Sequence, residues 1–320
     1  MSRLFRDVDG GALFPHGSVV CIGAFDGLHM GHRALVRHAV ARARNLSLPA
    51  VALSFEPLPR EFFSRDLPPP RLTLPRGKVQ GLRSLGADSV GLLRFDTRLS
   101  AMSAEEFARK LLVGRLGARE VWIGPEFRFG HRRGGDLALL QALGADLGFR
   151  AGEIEAVHSQ GERVSSTRIR EALCAGDFND AARLLGRPYA ICGRVVRGKQ
   201  LGRTLGFPTA NLRFPKTPAL SGIYATWVHG VDSDSGKRGP HASVSSFGTR
   251  PTVYGTEPLL EAHLFDFEGD LYGRHIEVEF VAKLRDELKF PDLPSLTEQM
   301  QRDAETARRL LSEQRLRATA

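Results

Sequence analysis

Ser18-Val19-Val20-Cys21-Ile22-Gly23-Ala24-Phe25-Asp26-Gly27-Leu28-His29-Met30-Gly31-His32 is the stretch that decides the fold. Residues 18–25 are an apolar, β-branched run, and residues 32–43 behind them repeat with helical periodicity. The reading is a strand, a glycine-bearing turn and the first turn of a helix. Glycines there let the backbone approach a ligand closely. A helix start offers unpaired N–H groups to an anion. His29 and His32 are three apart and share one face of that turn. Two imidazoles so placed can donate hydrogen bonds to phosphate oxygens as charge builds on them. Gly23, Phe25, Asp26, Gly27, His29, Gly31 and His32 form the first candidate site. The competing reading is a plain strand–turn–helix with two surface histidines; both glycines and the preceding strand weigh against it.

Outward from this stretch, short apolar runs (50–55, 89–93, 120–123) alternate with amphipathic segments (77–85, 104–116, 137–147). That rhythm predicts βαβ units and a parallel sheet. The Pro-rich residues 68–75 read as a loop over the surface. Residues 167–185 read as helix, and Gly186-Arg187-Pro188 breaks it. From residue 191 the texture changes to short strand-like runs punctuated by Gly and Pro, the pattern of a small antiparallel barrel or sandwich. Residues 296–315 form a charged amphipathic helix. The predicted division is 1–186, an α/β domain, and 187–320, a small antiparallel barrel or sandwich domain with a C-terminal helix.

With 42% hydrophobic and 25% charged residues, the chain has an ordinary globular composition, and its 320 residues suit two cores. No apolar run reaches the roughly 18 residues of a membrane span, and residues 1–17 lack the apolar region of a signal peptide. Cys21, Cys174 and Cys192 are few, odd in number and widely spaced. That fits neither a disulfide framework nor a zinc knuckle, so the cytoplasm is the expected compartment. A net charge of +9 invites a nucleic-acid partner. The basic residues are scattered, however, and almost all Arg, with no block of like charge. Anionic small substrates account for the balance, and neither a nucleic acid nor a membrane is expected as partner.

Ser165-Ser166-Thr167-Arg168-Ile169-Arg170 starts another helix. Its hydroxyls suit N-caps, but two arginines in a first turn oppose the helix dipole unless a phosphate sits among them. With the histidine stretch, this segment resembles the adenylyltransferase family that builds FAD. The resemblance implies a Rossmann-like domain in which His29 and His32 bind ATP phosphates and Ser165, Ser166, Thr167 and Arg168 complete the site. Phe55-Glu56-Pro57-Leu58-Pro59 and Gly124-Pro125-Glu126-Phe127-Arg128-Phe129-Gly130 are similar to further landmarks of that family. One departure stands out: family members commonly carry Asp where Glu126 stands here.

In the second half, residues 193–200 nearly match a Walker A loop but lack its Ser/Thr and a following helix, which rejects that reading. Beyond them lies Gly202-Arg203-Thr204-Leu205-Gly206-Phe207-Pro208-Thr209-Ala210-Asn211-Leu212. Gly206 and Pro208 fix a turn. Thr209 and Asn211, two apart, share one face if extended, and their oxygens are hard ligands suited to Mg²⁺ alongside nucleotide phosphates. A hairpin turn facing water fits the same residues. Alternation over residues 259–267 puts Glu261 and His263 on one face. A carboxylate there can take the proton of an attacking hydroxyl, and a solvated strand face fits equally well. The whole run resembles riboflavin kinase, supported by Gly222-Ile223-Tyr224, Gly248-Thr249-Arg250-Pro251-Thr252, Asp270-Leu271-Tyr272-Gly273 and residues 284–290. The resemblance implies a six-stranded barrel, Mg²⁺ on Thr209 and Asn211, and Glu261 as general base. It also implies ATP or flavin contacts from Gly198, Gly202, Arg203, Gly206 and Pro208, with Arg285 near the flavin.

The order of the two resemblances matches the bifunctional riboflavin kinase/FAD synthetase family of bacteria. It implies an enzyme with ATP as co-substrate and Mg²⁺ as cofactor, converting riboflavin to FMN in the C-terminal domain and FMN to FAD in the N-terminal one. The alternatives are a nucleotidyltransferase for a non-flavin phosphate, an Arg-rich nucleic-acid-binding protein, and a kinase with a degenerate transferase half.

Overall fold

A computed structural model of the chain describes residues 3–64, 67–198, 202, 205–231, 239–252 and 255–319. The chain forms two compact units, Met1–Pro69 with Pro75–Ser166, and Pro70–Leu74 with Thr167–Ala320.

The first unit is built on six strands: β1 (Arg3–Phe5), β2 (Ser18–Ile22), β3 (Ala50–Glu56), β4 (Ser89–Arg94), β5 (Ala118–Ile123) and β6 (Arg150–Glu153). They form one parallel sheet in the order β1-β4-β3-β2-β5-β6, and β7 (His158–Ser159) and β8 (Glu162–Arg163) pair as a separate antiparallel hairpin. β2 is buried at every position, as a parallel strand covered on both faces must be. Val20 and Ile22 join the core on one side of the sheet, and Val19 and Cys21 the core on the other. Burial pushes the Cys21 thiol up to about 12, so it serves as a small apolar group. Helix α1 (Met30–Asn45) buries Leu35, Val36, Ala39 and Ala43 at helical spacing. α2 (Pro59–Phe63), α3 (Pro75–Ser84), α4 (Thr97–Ala101), α5 (Ala104–Glu106) and α6 (Leu137–Leu147) follow. α5 runs on into a π-helix at Phe107–Arg115 where the sequence predicts regular helix. After β2 the chain builds outward through β3 and β4, then returns to β5 on the other side of β2. The carboxyl ends of β2 and β5 therefore flank a topological switch point, where open α/β sheets bind ligands.

The second unit holds α7 (Ser166–Ala175, its first residue counted with the first unit) and α8 (Phe178–Leu185). The sequence predicts one helix over 167–185; a break at Gly176-Asp177 makes it two, with Asp177 capping α8. Strands β9 (Ala190–Val196), β10 (Ala210–Arg213), β11 (Gly222–His229), β12 (His241–Thr252), β13 (Gly255–Leu264) and β14 (His275–Arg285) close into an antiparallel barrel in the order β10-β13-β12-β11-β14-β9. Leu212, Tyr224, Phe247, Leu260 and Phe280 fill its interior. Thr226 there hydrogen-bonds Ser243 (2.5 Å) and Ser245 (2.7 Å), so these buried hydroxyls satisfy one another. The closing helix α9 (Leu293–Thr319) lays Ala307 and Leu311 on Ala225.

The Pro-rich stretch corrects an expectation. Read as a surface loop, it instead carries Arg71 and Leu72, each 1% exposed. The Arg71 N–H donates to the Thr217 carbonyl (2.8 Å), and the Tyr189 hydroxyl to the Leu72 carbonyl (3.2 Å). Proline there removes donors without making the backbone solvent-facing.

Candidate active sites

The histidine stretch occupies the carboxyl end of β2, at the switch point. Phe25, Gly27 and Leu28 take positive φ of 50°, 86° and 49°. Two left-handed non-glycine residues in four positions are costly, of order 1–3 kcal/mol each, and persist only when the surroundings impose them. Those surroundings are visible. Gly23 N–H donates to the Leu53 carbonyl (3.1 Å), Ser54 Oγ donates to the Ala24 carbonyl (3.0 Å), and Phe25 and Leu28 are buried. Asp26 is 2% exposed.

His29 is the N-cap of α1 rather than a residue of its first turn: its Nδ1 accepts the His32 backbone N–H at 3.2 Å. With Nδ1 acting as acceptor, the ring proton of the neutral form sits on Nε2. The two rings stack with centroids 3.6 Å apart. Burial, then the neighbouring His29 and Lys78, hold His32 well below the usual histidine range, so its imidazole is neutral. Its Nδ1 is buried with no hydrogen-bond partner among the described residues, a donor or acceptor position left over for a ligand.

Ser166 opens α7, and its Oγ donates to the Asp26 carbonyl (2.9 Å), tying that helix start to the histidine loop. Ser165 precedes it, and Thr167 and Arg168 continue the same turn. Glu126, beyond the carboxyl end of β5, has φ 62° and an exposed carboxylate paired with Arg163 at 2.7 Å. Sequence reading missed Lys78 and Ser54: Lys78, on α3, is fully buried and reaches Ser54 Oγ at 3.3 Å.

In the barrel unit, strand register assembles the second site. Asn211 pairs with Glu261 across β10 and β13, Glu261 with Ser246, Ser246 with Ile223, and Ile223 with Arg285. Directly opposed residues share a face, so this row crosses five strands and lines one cavity of about 930 Å³. Gly198, Gly202 and Thr209 line it as well. The expected alternation holds, with Leu260, Ala262 and Leu264 buried and Glu261 and His263 on the cavity side. Gly206, at φ 82°, precedes Pro208, whose carbonyl accepts from His263 Nδ1 at 2.9 Å, fixing the turn to β13. Burial holds His263 below the usual histidine range. Arg203 lies outside the described residues.

Asn211 Nδ2 points at Thr209, 3.2 Å from its carbonyl and 3.4 Å from its hydroxyl. That leaves Oδ1 as the amide atom turned away from Thr209. A Cβ at position 198 would lie 2.7 Å from this oxygen, so glycine keeps it accessible. Arg285 lines the cavity, but its guanidinium is engaged by Asp303 of α9, with Nε 3.0 Å from both carboxylate oxygens and Nη2 2.6 Å from one. Sequence reading missed Asp303, since its partner is 18 residues away.

The chain matches the FAD synthetase family over residues 12–168 and the riboflavin kinase family over 185–311. It is 45% identical to the bifunctional riboflavin kinase/FMN adenylyltransferase of Escherichia coli K12, covering 96% of this chain and 97% of that one. The chain belongs to the bifunctional riboflavin kinase/FMN adenylyltransferase family. The relative from Haemophilus influenzae is 40% identical over 96% of this chain and 98% of its own length. A crystal structure described as a macrolide-efflux protein from Streptococcus pneumoniae superposes with a TM-score of 0.76 at 28% identity, covering 96% of this chain and 98% of that one. The two chains share one fold along nearly their whole lengths. Among the described residues no helix is long and apolar enough to cross a membrane.

The family's Mg²⁺ fits the donor set of the barrel cavity. Among the described residues no three His, Cys, Asp or Glu side chains gather as a metal site. A hydroxyl and an amide oxygen, Thr209 Oγ1 and Asn211 Oδ1, are hard neutral oxygens of the kind suited to an ion that arrives on phosphates.

Proposed function

We propose that the barrel cavity forms FMN from riboflavin and ATP, and that the histidine loop joins FMN to the AMP part of a second ATP, releasing pyrophosphate. The observation that carries this reading is the opposition of Asn211 and Glu261 on the cavity wall, in a chain whose other unit holds the histidine loop at a sheet switch point. In the barrel, Glu261 accepts the proton of the ribityl 5′-hydroxyl as that oxygen attacks the γ-phosphorus and the bond to the departing ADP breaks. Thr209 and Asn211 would hold Mg²⁺, which when bound would supply positive charge to the phosphate oxygens. Gly198 and Gly202 shape the nucleotide and flavin walls, and Gly206 and Pro208 hold the turn beside them; Arg203, outside the described residues, is assigned to the same ligands. Arg285 acts near the flavin through its bond to Asp303.

In the adenylyl step an FMN phosphate oxygen attacks the α-phosphorus of ATP. His29 donates from Nε2 to the phosphates, and neutral His32 uses its remaining nitrogen there. Gly23, Phe25, Asp26, Gly27 and Gly31 let the backbone close on the nucleotide. Ser165, Ser166, Thr167 and Arg168 hold the departing pyrophosphate. We place the functional boundary between residues 186 and 187, and the enzyme in the cytoplasm, where its three free cysteines stay reduced.

Incubation with riboflavin, ATP and Mg²⁺, with chromatographic separation, tests the reading. Both FMN and FAD are expected. Glu261→Ala is expected to stop FMN formation while FAD still forms from added FMN, and His29→Ala with His32→Ala to do the reverse. Loss of both activities in either variant would overturn the assignment of one reaction to each unit.

A further inference from the structure

Lys78 is a lysine with 0% exposure in a soluble α/β unit, a placement that a charged side chain rarely takes without a task. It sits on α3, one turn inside the helix, and its ammonium lies 3.3 Å from Ser54 Oγ and 3.4 Å from the Phe55 carbonyl, at the carboxyl end of β3. Ser54 is itself fully buried, and its hydroxyl donates a hydrogen bond to the Ala24 carbonyl at 3.0 Å. The path from ammonium to hydroxyl to carbonyl ends inside the loop that carries His29 and His32. The same helix touches this loop a second time. A Cβ at Gly81 would lie 2.3 Å from Leu28 Cδ1, so helix and loop are packed closely there. The field of Lys78 is also felt at His32, where with burial it favours the neutral ring.

We propose that Lys78 is a positioning residue for adenylyl transfer: acting through Ser54, its buried ammonium holds the Ala24–Asp26 turn and lays a fixed positive charge beneath the nucleotide phosphates. The inference rests on the histidine loop being the nucleotide site. A fixed cation in a site of low dielectric attracts an anion more strongly than a surface lysine does. Its effect grows with the charge of the ligand, and this separates it from simple packing.

The test is Lys78→Met, which keeps most of the volume and removes the charge, together with Ser54→Ala, which cuts the path. The full-length enzyme is assayed for FAD formation from added FMN. KM for ATP and the competitive inhibition constants of ADP and AMP are measured in that reaction, with riboflavin phosphorylation as the internal control. Lys78→Met is expected to weaken ATP by about tenfold or more, ADP less and AMP least, with FMN formation and thermal midpoint held. Ser54→Ala is expected to lower kcat of FAD formation with a smaller change in the graded series. An equal weakening of all three nucleotides, or one accompanied by a fall in thermal midpoint, would assign Lys78 to packing and overturn the proposal. Unchanged constants would overturn it too. His29→Ala is run beside it. If that variant loses FAD formation while Lys78→Met leaves KM for ATP unchanged, the proposal alone fails; if His29→Ala also leaves FAD formation unchanged, the placement of the nucleotide site fails.

Discussion

Glycine 198 shows how much a single missing side chain decides. With Asn211 Nδ2 turned toward Thr209, only Oδ1 is left to hold a cation, and a methyl group at 198 would press on it. Gly198→Ala is expected to cut kcat/KM for FMN formation by at least about tenfold, leaving FAD formation from added FMN unchanged; a rate assay on each substrate checks it. Three histidines set a second expectation. His32, His38 and His263 are all held below the ordinary histidine value of 6.5, in each case first by burial. The unfolded chain therefore binds protons at these rings before the folded one does. Their contribution to stability is complete above about pH 6.5 and is lost as pH falls from there toward the lowered native values. Urea midpoints are expected to drop between pH 7 and 5.5, and His263→Gln to drop less steeply. The histidine loop was legible because its strand, glycines and imidazoles are contiguous. Lys78 was not, because nothing local distinguishes a lysine that points inward from the usual solvated one.

Among the elements, α9 illustrates a limit of periodicity. Its charged, amphipathic pattern gives a helix, but not that its amino-terminal half (Leu293, Leu296, Met300, Asp303) walls a cavity. The Arg285–Asp303 pair is the join: 18% and 8% exposed, it fastens the end of β14 to the helix, with Gln299 donating to the same carboxylate at 2.9 Å. Asp303→Ala leaves a half-buried guanidinium without its partner and is expected to cost about 3–5 kcal/mol by urea unfolding. It should also raise KM for riboflavin. Replacing both partners, Arg285→Met with Asp303→Leu, should recover most of the stability. Recovery of riboflavin affinity as well would show that Arg285 has no part beyond the join. β10 was legible only as a possibility, since four residues after a Pro-Thr turn carry too little alternation to announce a strand. The buried Arg71 and Leu72 were misread because proline signals a turn without saying what covers it.

For the molecule as a whole, the two-unit plan followed from a change of texture that any window of sequence records. The pairing order did not, because β10 lies next to β13 and β2 next to β5, and such partners are chosen by long-range contacts. The whole enzyme also makes a statement about its ion. The neutral oxygens proposed for it, with no carboxylate cluster among the described residues, would hold free Mg²⁺ poorly, so the nucleotide would bring most of the binding energy. Titrating Mg²⁺ into nucleotide-free enzyme is expected to give no saturable heat at millimolar concentration, while a chelator in excess stops FMN formation. Saturation by the ion alone would point to ligands other than Thr209 and Asn211.

Closure of the barrel carries a consequence for how this enzyme fails. Six strands that pair in a ring leave no unsatisfied backbone rim, whereas the parallel sheet ends on β1 and β6, each bonded within it on one side only. Both are short, three and four residues, which limits what another chain can grip. When heat loosens the protein, strand-to-strand clumping should therefore start from the sheet that makes FAD, and the capacity to make FMN should outlast it.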